Sequence, residues 1–315
     1  MLVVTSRSDV TADAVVDELN RRGEPVVRLD TSEFPVTAGL AVALTEDGWA
    51  GTIHHGECSV DLAAVRSVWW RRPTEFHTPA DWDADARAFA ASEARAGFLG
   101  VLGSLPVRWI NHPAADAAAN YKPRQLAIAA RSGLTTPRTV ITNDPTEAQT
   151  FAKEVGRVVY KALGGGVRRT SGWHESIPTT VLTTDQIDDS VAGTAHLFQE
   201  LVEKAFEVRL TVIGERMFAA AIHAHTDATR LDWRTDYSAL TYRTIAVPDR
   251  VAAGVRRIMA ELGLFFGALD FAVTPGGEWV FFEINPNGQW HWLTHHTDLP
   301  LVATMADALQ KGRTA

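Results

Sequence analysis

Short apolar runs flank a stretch of helical spacing at the start of the chain: MLVVTS, then Ala14, Val15 and Leu19, then EPVVRLD. Strand, helix, strand in that order predicts a β-α-β opening and hence a parallel sheet. The pattern around Leu40–Leu44 and Gly51–His54 predicts antiparallel strands, and VRSVWW predicts a strand that ends at Arg71-Arg72-Pro73. An Ala-rich stretch from about Asp83 to Leu102 reads as a long helix and VRWIN as a strand. Pro123 suits a first helical turn and Gly133 a C-terminal stop, which makes PRQLAIAARSG a helix. TTPRTVITND then opens a new unit, with a helix over Asp144–Val155, a strand in RVVYKAL and a flexible loop in GGGVRRTSG. HLFQELV, EVRLTVIG and RMFAAAIHAHT are three apolar strands, the last two a hairpin through Gly214. A helix from about Pro248 to Leu262, strands in GALDFAV and EWVFFEI, and a helix from about Pro300 to Leu309 complete the pattern.

The strands GALDFAV and EWVFFEI are joined by TPGGE, a strong hairpin signal. With Gly276 and Gly277 as the two loop residues, Asp270 falls directly opposite Glu283, and Asn285 shares the face of Glu283. The other face then carries Phe271, Val273, Val280 and Phe282 as a core. Two opposed carboxylates repel unless a proton or a cation lies between them. Oxygen-only ligands of this kind suit Mg²⁺ or Mn²⁺; taken alone, they also fit strand ends in solvent followed by an ordinary Asn-Pro-Asn-Gly turn.

Composition narrows the class. With 315 residues, 46% of them apolar, the chain exceeds a usual single domain, so two or three units are expected. The net charge of -8 gives no global basic footprint, which argues against nucleic acid and for a small or peptide substrate. A single cysteine, Cys58, excludes an internal disulfide framework and a Cys-rich zinc site. The N-terminus lacks the features of a signal peptide and no stretch is long enough to cross a bilayer, so no membrane association and a cytoplasmic location are expected.

Three further pieces carry chemistry. Lys161 ends an apolar strand and is followed at once by Gly164-Gly165-Gly166, so a cation and a closely approachable backbone can meet a polyphosphate. The order strand, lysine, glycines is not that of a P-loop, and a surface loop is the plainer reading of the glycines alone. Lys122 stands just before a helix, where a solvated lysine is the default. QELV, Gln199–Val202, ends one strand, while Glu207 and Arg209 open the next on one face, an arrangement that also describes a surface ion pair. Together with Lys161 before them and the acidic hairpin after them, they have the order of a nucleotide site. His223 and His225 share a strand face and HWLTHH adds three more histidines, but no third ligand of convincing spacing supports zinc.

These residues resemble the ATP-grasp ligases, in which a lysine before a central helix, a strand lysine before a Gly-rich loop, an adenine-linking strand, an acidic residue with Arg, and a hairpin metal pair occur in this order. The resemblance implies an α/β (α+β) ATP-grasp fold. Its parts would be an N-terminal parallel-sheet pre-ATP-grasp domain over 1–112, a small central domain over 113–195 and a C-terminal antiparallel-sheet domain over 196–315. By the same resemblance Lys122, Lys161 and Gly165 meet the phosphates of ATP, and Glu200, Leu201 and Val202 hold adenine. Glu207 holds ribose, Asp270, Glu283 and Asn285 hold Mg²⁺ or Mn²⁺, and Arg209, Lys161 and Asn285 form the catalytic set. EINPNGQWHWL, SVWWRRP and LDWR at Leu231–Arg234 are similar to the graspetide synthetases, the maturases of microviridin-type peptides. That narrower likeness implies a ribosomal precursor peptide, with a leader and an acidic, Thr-rich core, as partner, and a homodimer as assembly. Its Asp or Glu carboxylates would be activated as acylphosphates and joined to Thr or Ser hydroxyls or Lys amines. Arg72, Arg230 and Arg234 are then candidates to guide the acidic side chains. A glutamate-adding amino-acid ligase of the same fold (RimK-like) and a non-catalytic nucleotide-binding scaffold remain as alternatives.

Overall fold

The computed structural model describes the backbone of residues 1–164, 167–170, 173–176 and 179–312, and the side chains of those outside 165–178. The N-terminal part holds β1 (Leu2–Val4), α1 (Val10–Arg21), β2 (Val27–Leu29), β3 (Ala38–Thr45), β4 (Gly48–His55), β5 (Cys58–Asp61), β6 (Ser67–Trp70), α2 (Ala84–Gly103) and β7 (Arg108–Ile110). The parallel sheet expected from the opening pattern is there, in the order β2-β1-β6-β7, and β3-β4-β5 form a separate antiparallel sheet. Asp9 caps α1 by accepting from the Thr11 and Ala12 amides, which starts the helix directly after the β1 exit loop.

α3 (Pro113–Ala119) and α4 (Lys122–Arg131) follow, each with proline in its first turn. The central part then comprises β8 (Thr139–Thr142), α5 (Pro145–Val155), β9 (Val158–Lys161), β10 (Val167–Thr170), β11 (Trp173–Ser176), β12 (Thr180–Leu182) and β13 (His196–Glu200). Its main sheet has the order β12-β9-β13-β8, so the chain leaves it after Glu200, one strand beyond the 195/196 boundary expected from sequence. β10 and β11 pair antiparallel, Val167 with Ser176 through Thr170 with Trp173. The stretch expected as a loop therefore contains a strand, Val167–Thr170, which pairs with the strand that follows it directly in the chain.

The C-terminal part holds β14 (Phe206–Ile213), β15 (Arg216–Ala224), α6 (Asp227–Leu231), β16 (Leu240–Ile245), α7 (Asp249–Leu262), β17 (Phe266–Val273), β18 (Trp279–Asn285) and α8 (Leu301–Gln310). Its antiparallel sheet runs β16-β15-β14-β17-β18. α7 presents Val251, Val255, Ile258 and Leu262 to one face, where they share a core with Leu210, Leu269, Phe271 and Phe281 of the sheet and Ile128 of α4. Thus α3 and α4 belong to the C-terminal core by packing, although they precede the central sheet in sequence.

The segment after β18 returns to the N-terminal sheet. Trp290, Leu293, Leu301, Met305 and Leu309 join Val3, Val15, Leu19, Trp69 and Phe266 in a second core. Trp290 is fully buried there, and truncation to alanine would cost about 3–5 kcal/mol. The Ser67 hydroxyl donates to the Leu309 carbonyl at 2.8 Å, fixing α8 against β6. The first and third parts are consequently welded, and the mouth of the β17–β18 hairpin faces the C-terminal edge of the parallel sheet.

Candidate active site

The β17–β18 hairpin places Asp270 opposite Glu283 as expected, but by another route. Its loop has three residues, Pro275, Gly276 and Gly277: the Thr274 amide donates to the Glu278 carbonyl at 2.9 Å, and the Gly277 amide donates back to Thr274 at 2.9 Å with φ +83°. Phe271 therefore pairs with Phe281, and a bulge between Asp270 and Phe271 absorbs Phe282 before the pairing of Asp270 with Glu283 resumes. This corrects the face assigned to Phe282. Phe281 takes the core position, fully buried, while Phe282 is half-buried and lines a cavity on the opposite side.

That cavity, of about 1060 Å³, lies between the central and C-terminal sheets. Most of the residues expected at the site line it: Lys122, Lys161, Glu200, Leu201, Val202, Glu207, Arg234, Asp270, Glu283 and Asn285. Lys122, the first residue of α4, donates its ammonium to the Ala162 carbonyl at 3.0 Å and lies 3.3 Å from a Glu283 oxygen. Lys161, the last residue of β9, has its ammonium 4.2 Å from the centre of the Phe282 ring. Burial lowers the Lys161 pKa to about 8, partly offset by Glu283. Glu200 is anchored at the central sheet's exit, accepting from the Arg138 amide at 2.9 Å through its side chain. The Leu201 amide donates to Arg157 at 2.8 Å, so the linker toward β14 is held at both residues.

Glu207 and Arg209 alternate with buried Val208 along β14. Lys204, which the sequence pattern did not single out, pairs with Glu207 at 2.5 Å and donates to the Leu231 carbonyl at 3.2 Å. Burial pushes the Glu207 carboxyl up, against the pull of Lys204. The only sequence signal for Lys204 is its three-residue spacing from an acid. Arg209 is not on the cavity wall; it is buried, sits across from Asp270 in the β14–β17 ladder, and reaches its Oδ1 at 2.9 Å. From there its guanidinium meets Asp270 from beneath.

Arg234 enters from the turn after α6. Its Nη2 donates to Asp270 Oδ2 at 2.7 Å and to Glu283 Oε1 at 3.1 Å. The Trp233 ring backs two guanidinium groups, Arg209 at 5.4 Å and Arg234 at 5.1 Å. Burial raises the Glu283 pKa, but Lys122, Arg234 and Lys161 outweigh that and hold it down at about 2. Asn285 is exposed at the strand exit, its side-chain oxygen accepting from the Asn287 amide at 2.9 Å. The set Asp270, Glu283 and Asn285 offers oxygen donors only, and a guanidinium already bridges the two carboxylates. Both observations fit a site built to take a hard divalent cation.

Not every expected residue is here. Gly165 lies outside the described residues. Arg230 is exposed, its one ion pair among the described residues is with Asp227 at 3.7 Å, and it does not line the cavity. Arg72 lines a smaller cavity of about 310 Å³ beside the N-terminal sheet and donates to the Asn287 carbonyl at 3.1 Å. Its neighbour Arg71, left out of the sequence-based site, is fully buried and grips the loop after β18. It donates to Asn287 O at 2.6 Å, Gly288 O at 3.0 Å and Gln289 Oε1 at 2.6 Å. The NPNGQW run therefore clamps the β17–β18 hairpin to the N-terminal sheet. His225 is bonded to Thr241 and His223 packs at a tilt against Phe206, and among the described residues no group of three His, Cys, Asp or Glu side chains is placed for a metal.

Known proteins share this fold. A family model described as the MvdD pre-ATP grasp domain matches residues 1–117. A RiPP-associated ATP-grasp ligase from Chryseobacterium gregarium, solved with ADP and a leader and core peptide, is 26% identical with a TM-score of 0.90, over 98% of this chain and 96% of that one. The chain has the ATP-grasp fold and resembles the graspetide-type ligases along its whole length. Macrocyclase MdnC from Microcystis aeruginosa MRC, solved with precursor peptide MdnA, is similar at 29% identity and TM-score 0.85, over 98% and 99% of the two chains. MdnB from the same organism follows at 29% identity and TM-score 0.79, over 98% of each chain. None of the curated proteins matches this chain in sequence. Lys161, Asp270, Glu283 and Asn285 all line one cavity of this chain.

Proposed function

We propose that this ATP-grasp ligase closes rings in a ribosomally made precursor peptide, using ATP to activate Asp or Glu side chains for attack by Thr or Ser hydroxyls or Lys amines. The observation that carries the reading is the convergence of Lys122, Lys161 and Arg234 on Glu283, opposite Asp270, in one cavity. Its volume of about 1060 Å³ is at the upper end of ordinary small-molecule sites, about 300–1,000 Å³, which suits a nucleotide together with a second substrate side chain. The similar ligases solved with leader, core or precursor peptides support a peptide as that substrate.

Lys122 and Lys161 neutralise the phosphates, the Glu200–Val202 linker borders adenine, and Glu207 takes the ribose hydroxyls. Asp270, Glu283 and Asn285 hold Mg²⁺, which when bound supplies charge neutralisation for the transferring phosphoryl group. The peptide carboxylate attacks the γ-phosphate, its O–P bond forming as the bond to ADP breaks, and an acylphosphate results. A hydroxyl or amine of the same peptide then attacks that carbonyl, the proton leaves the nucleophile and phosphate departs. No covalent enzyme intermediate is required, in keeping with an exposed Cys58 on β5, on the far N-terminal sheet. Most of the rate comes from positioning and from cations aimed at developing negative charge.

The enzyme acts in the cytoplasm, where ATP and a nascent precursor meet, and as a homodimer. Among the described residues no helix is long and apolar enough to cross a membrane. Co-expression with an acidic, Thr-rich peptide encoded beside this gene, followed by intact mass, tests the reaction. One water lost per bond supports ring closure; a gain of one amino-acid mass would replace it with the glutamate-adding reading.

A further inference from the structure

Arg234 stands between Asp270 and Glu283, where the opposed carboxylates need a cation. Each carboxylate is doubly paired. Asp270 meets Arg209 at 2.9 Å through Oδ1 and Arg234 at 2.7 Å through Oδ2. Glu283 meets Arg234 at 3.1 Å through Oε1 and Lys122 at 3.3 Å through Oε2. The three cations differ in how they are held. Arg209 is 7% exposed in its side chain and fixed in the ladder of β14 and β17. Lys122 is tied to the Ala162 carbonyl. Arg234 comes from the short turn Trp233–Thr235, outside both sheets, and its side chain is 43% exposed. A third carboxylate, Asp232, lies 3.5 Å from its Nη1, directly before the same turn.

A guanidinium cannot give up its charge at any physiological pH, so it vacates a carboxylate pair only by moving. A divalent cation and Arg234 cannot share Asp270 Oδ2 and Glu283 Oε1. We infer that Arg234 is a removable stand-in for the metal: loading of the divalent cation with nucleotide drives its guanidinium off Asp270 and Glu283 into the cavity it lines. There it becomes available to a carboxylate of the peptide. The inference rests on the metal assignment made above, and it adds an order of events. The acyl substrate's arginine is released by the metal-nucleotide complex, so nucleotide loads first and the acidic side chain second. By linkage, whatever holds Arg234 in the cavity must tighten metal binding by the same factor.

Two measurements on the full-length protein decide it. Binding of Mn²⁺ in the presence of ADP, followed by electron paramagnetic resonance, should tighten about tenfold in Arg234→Ala, since the competing cation is gone. Unchanged or weakened Mn²⁺ binding in a variant that melts as the wild type overturns the stand-in. In the wild type, modification of Arg234 by phenylglyoxal, mapped by mass spectrometry, should increase when Mn²⁺ and ADP are added together, and protection or no change overturns it. Asp270→Asn separates the two claims: Mn²⁺ binding equal to wild type in that variant sinks the metal assignment itself, whatever Arg234 does.

Discussion

Arg71 and Asn287, 216 positions apart in the chain, meet through a 2.6 Å hydrogen bond from the guanidinium to the main-chain carbonyl. The same side chain lies 3.3 Å from Asp9, the cap of α1, and donates to Gly288 and Gln289. Asn111 repeats the device at the next strand end, donating to the carbonyls of Phe266 and Pro286 at 2.9 Å each. The exit of the β17–β18 hairpin is thereby fixed to the N-terminal sheet at two points. Arg71→Met should destabilise the protein by about 3–5 kcal/mol, because Asp9 stays buried without its cation. Urea unfolding reads the loss. Arg71→Lys should recover little of it, since a point charge cannot serve several acceptors in a plane; a neutral result in either variant would separate the clamp from stability.

Gly288 sits in that clamped loop for lack of space. A Cβ there would meet the Ala268 Cβ at 2.4 Å and Arg209 Nη1 at 3.2 Å. Gly288→Ala should cost about 1–3 kcal/mol by overpacking and weaken nucleotide binding through Arg209 and Asp270. Thermal unfolding and ADP titration check the two effects separately.

Lys161 should show itself in proton uptake. Burial favours its neutral amine, bringing the pKa from 10.5 to about 8 in the free protein. A polyphosphate favours the charged form and raises it again. Nucleotide binding just above pH 8 must then take up a proton, and affinity must fall as pH rises through the free-protein value. Calorimetry in two buffers of different ionisation enthalpy reads the uptake, and Lys161→Met should abolish it. Heats that do not depend on buffer in the wild type would remove Lys161 from the phosphate site.

Glu283 is charged across the working range, with its pKa held at about 2, and it is the carboxylate on which Lys122 and Arg234 converge. Glu283→Ala should abolish metal-dependent ATP consumption, and chelation should do the same to the wild type. Because the folded-state pKa lies below the ordinary 4.5, this group's stabilising contribution is present above that value and is lost as pH falls toward 2. Glu283→Ala should accordingly flatten the acid limb of the stability profile. An acid limb identical to the wild type would contradict the pairing.

Much of this site was legible in the sequence because its residues sit on strands, where alternation reports facing. Asp270 opposite Glu283 followed from a hairpin, yet the supposed two-residue loop was one residue short, and the bulge at Phe282 restored the register. Bulges leave no period in the pattern, so Phe282 was placed in the core when it stands under the Lys161 ammonium. Arg71 and Arg234 were readable only as motif members. Their partners lie far away in sequence, and spacing carries no information about contacts made by tertiary docking. Arg230, beside the same motif, is exposed next to Asp227.

The central claim is that a peptide carboxylate is phosphorylated in the Lys122, Lys161 and Glu283 cavity before it is joined. A precursor peptide carrying heavy oxygen in its Asp and Glu carboxyl groups tests this directly, with the released inorganic phosphate analysed by mass spectrometry. The account predicts one heavy oxygen transferred to phosphate for each bond formed, with ADP as the other product. Bond formation with unlabelled phosphate would contradict it.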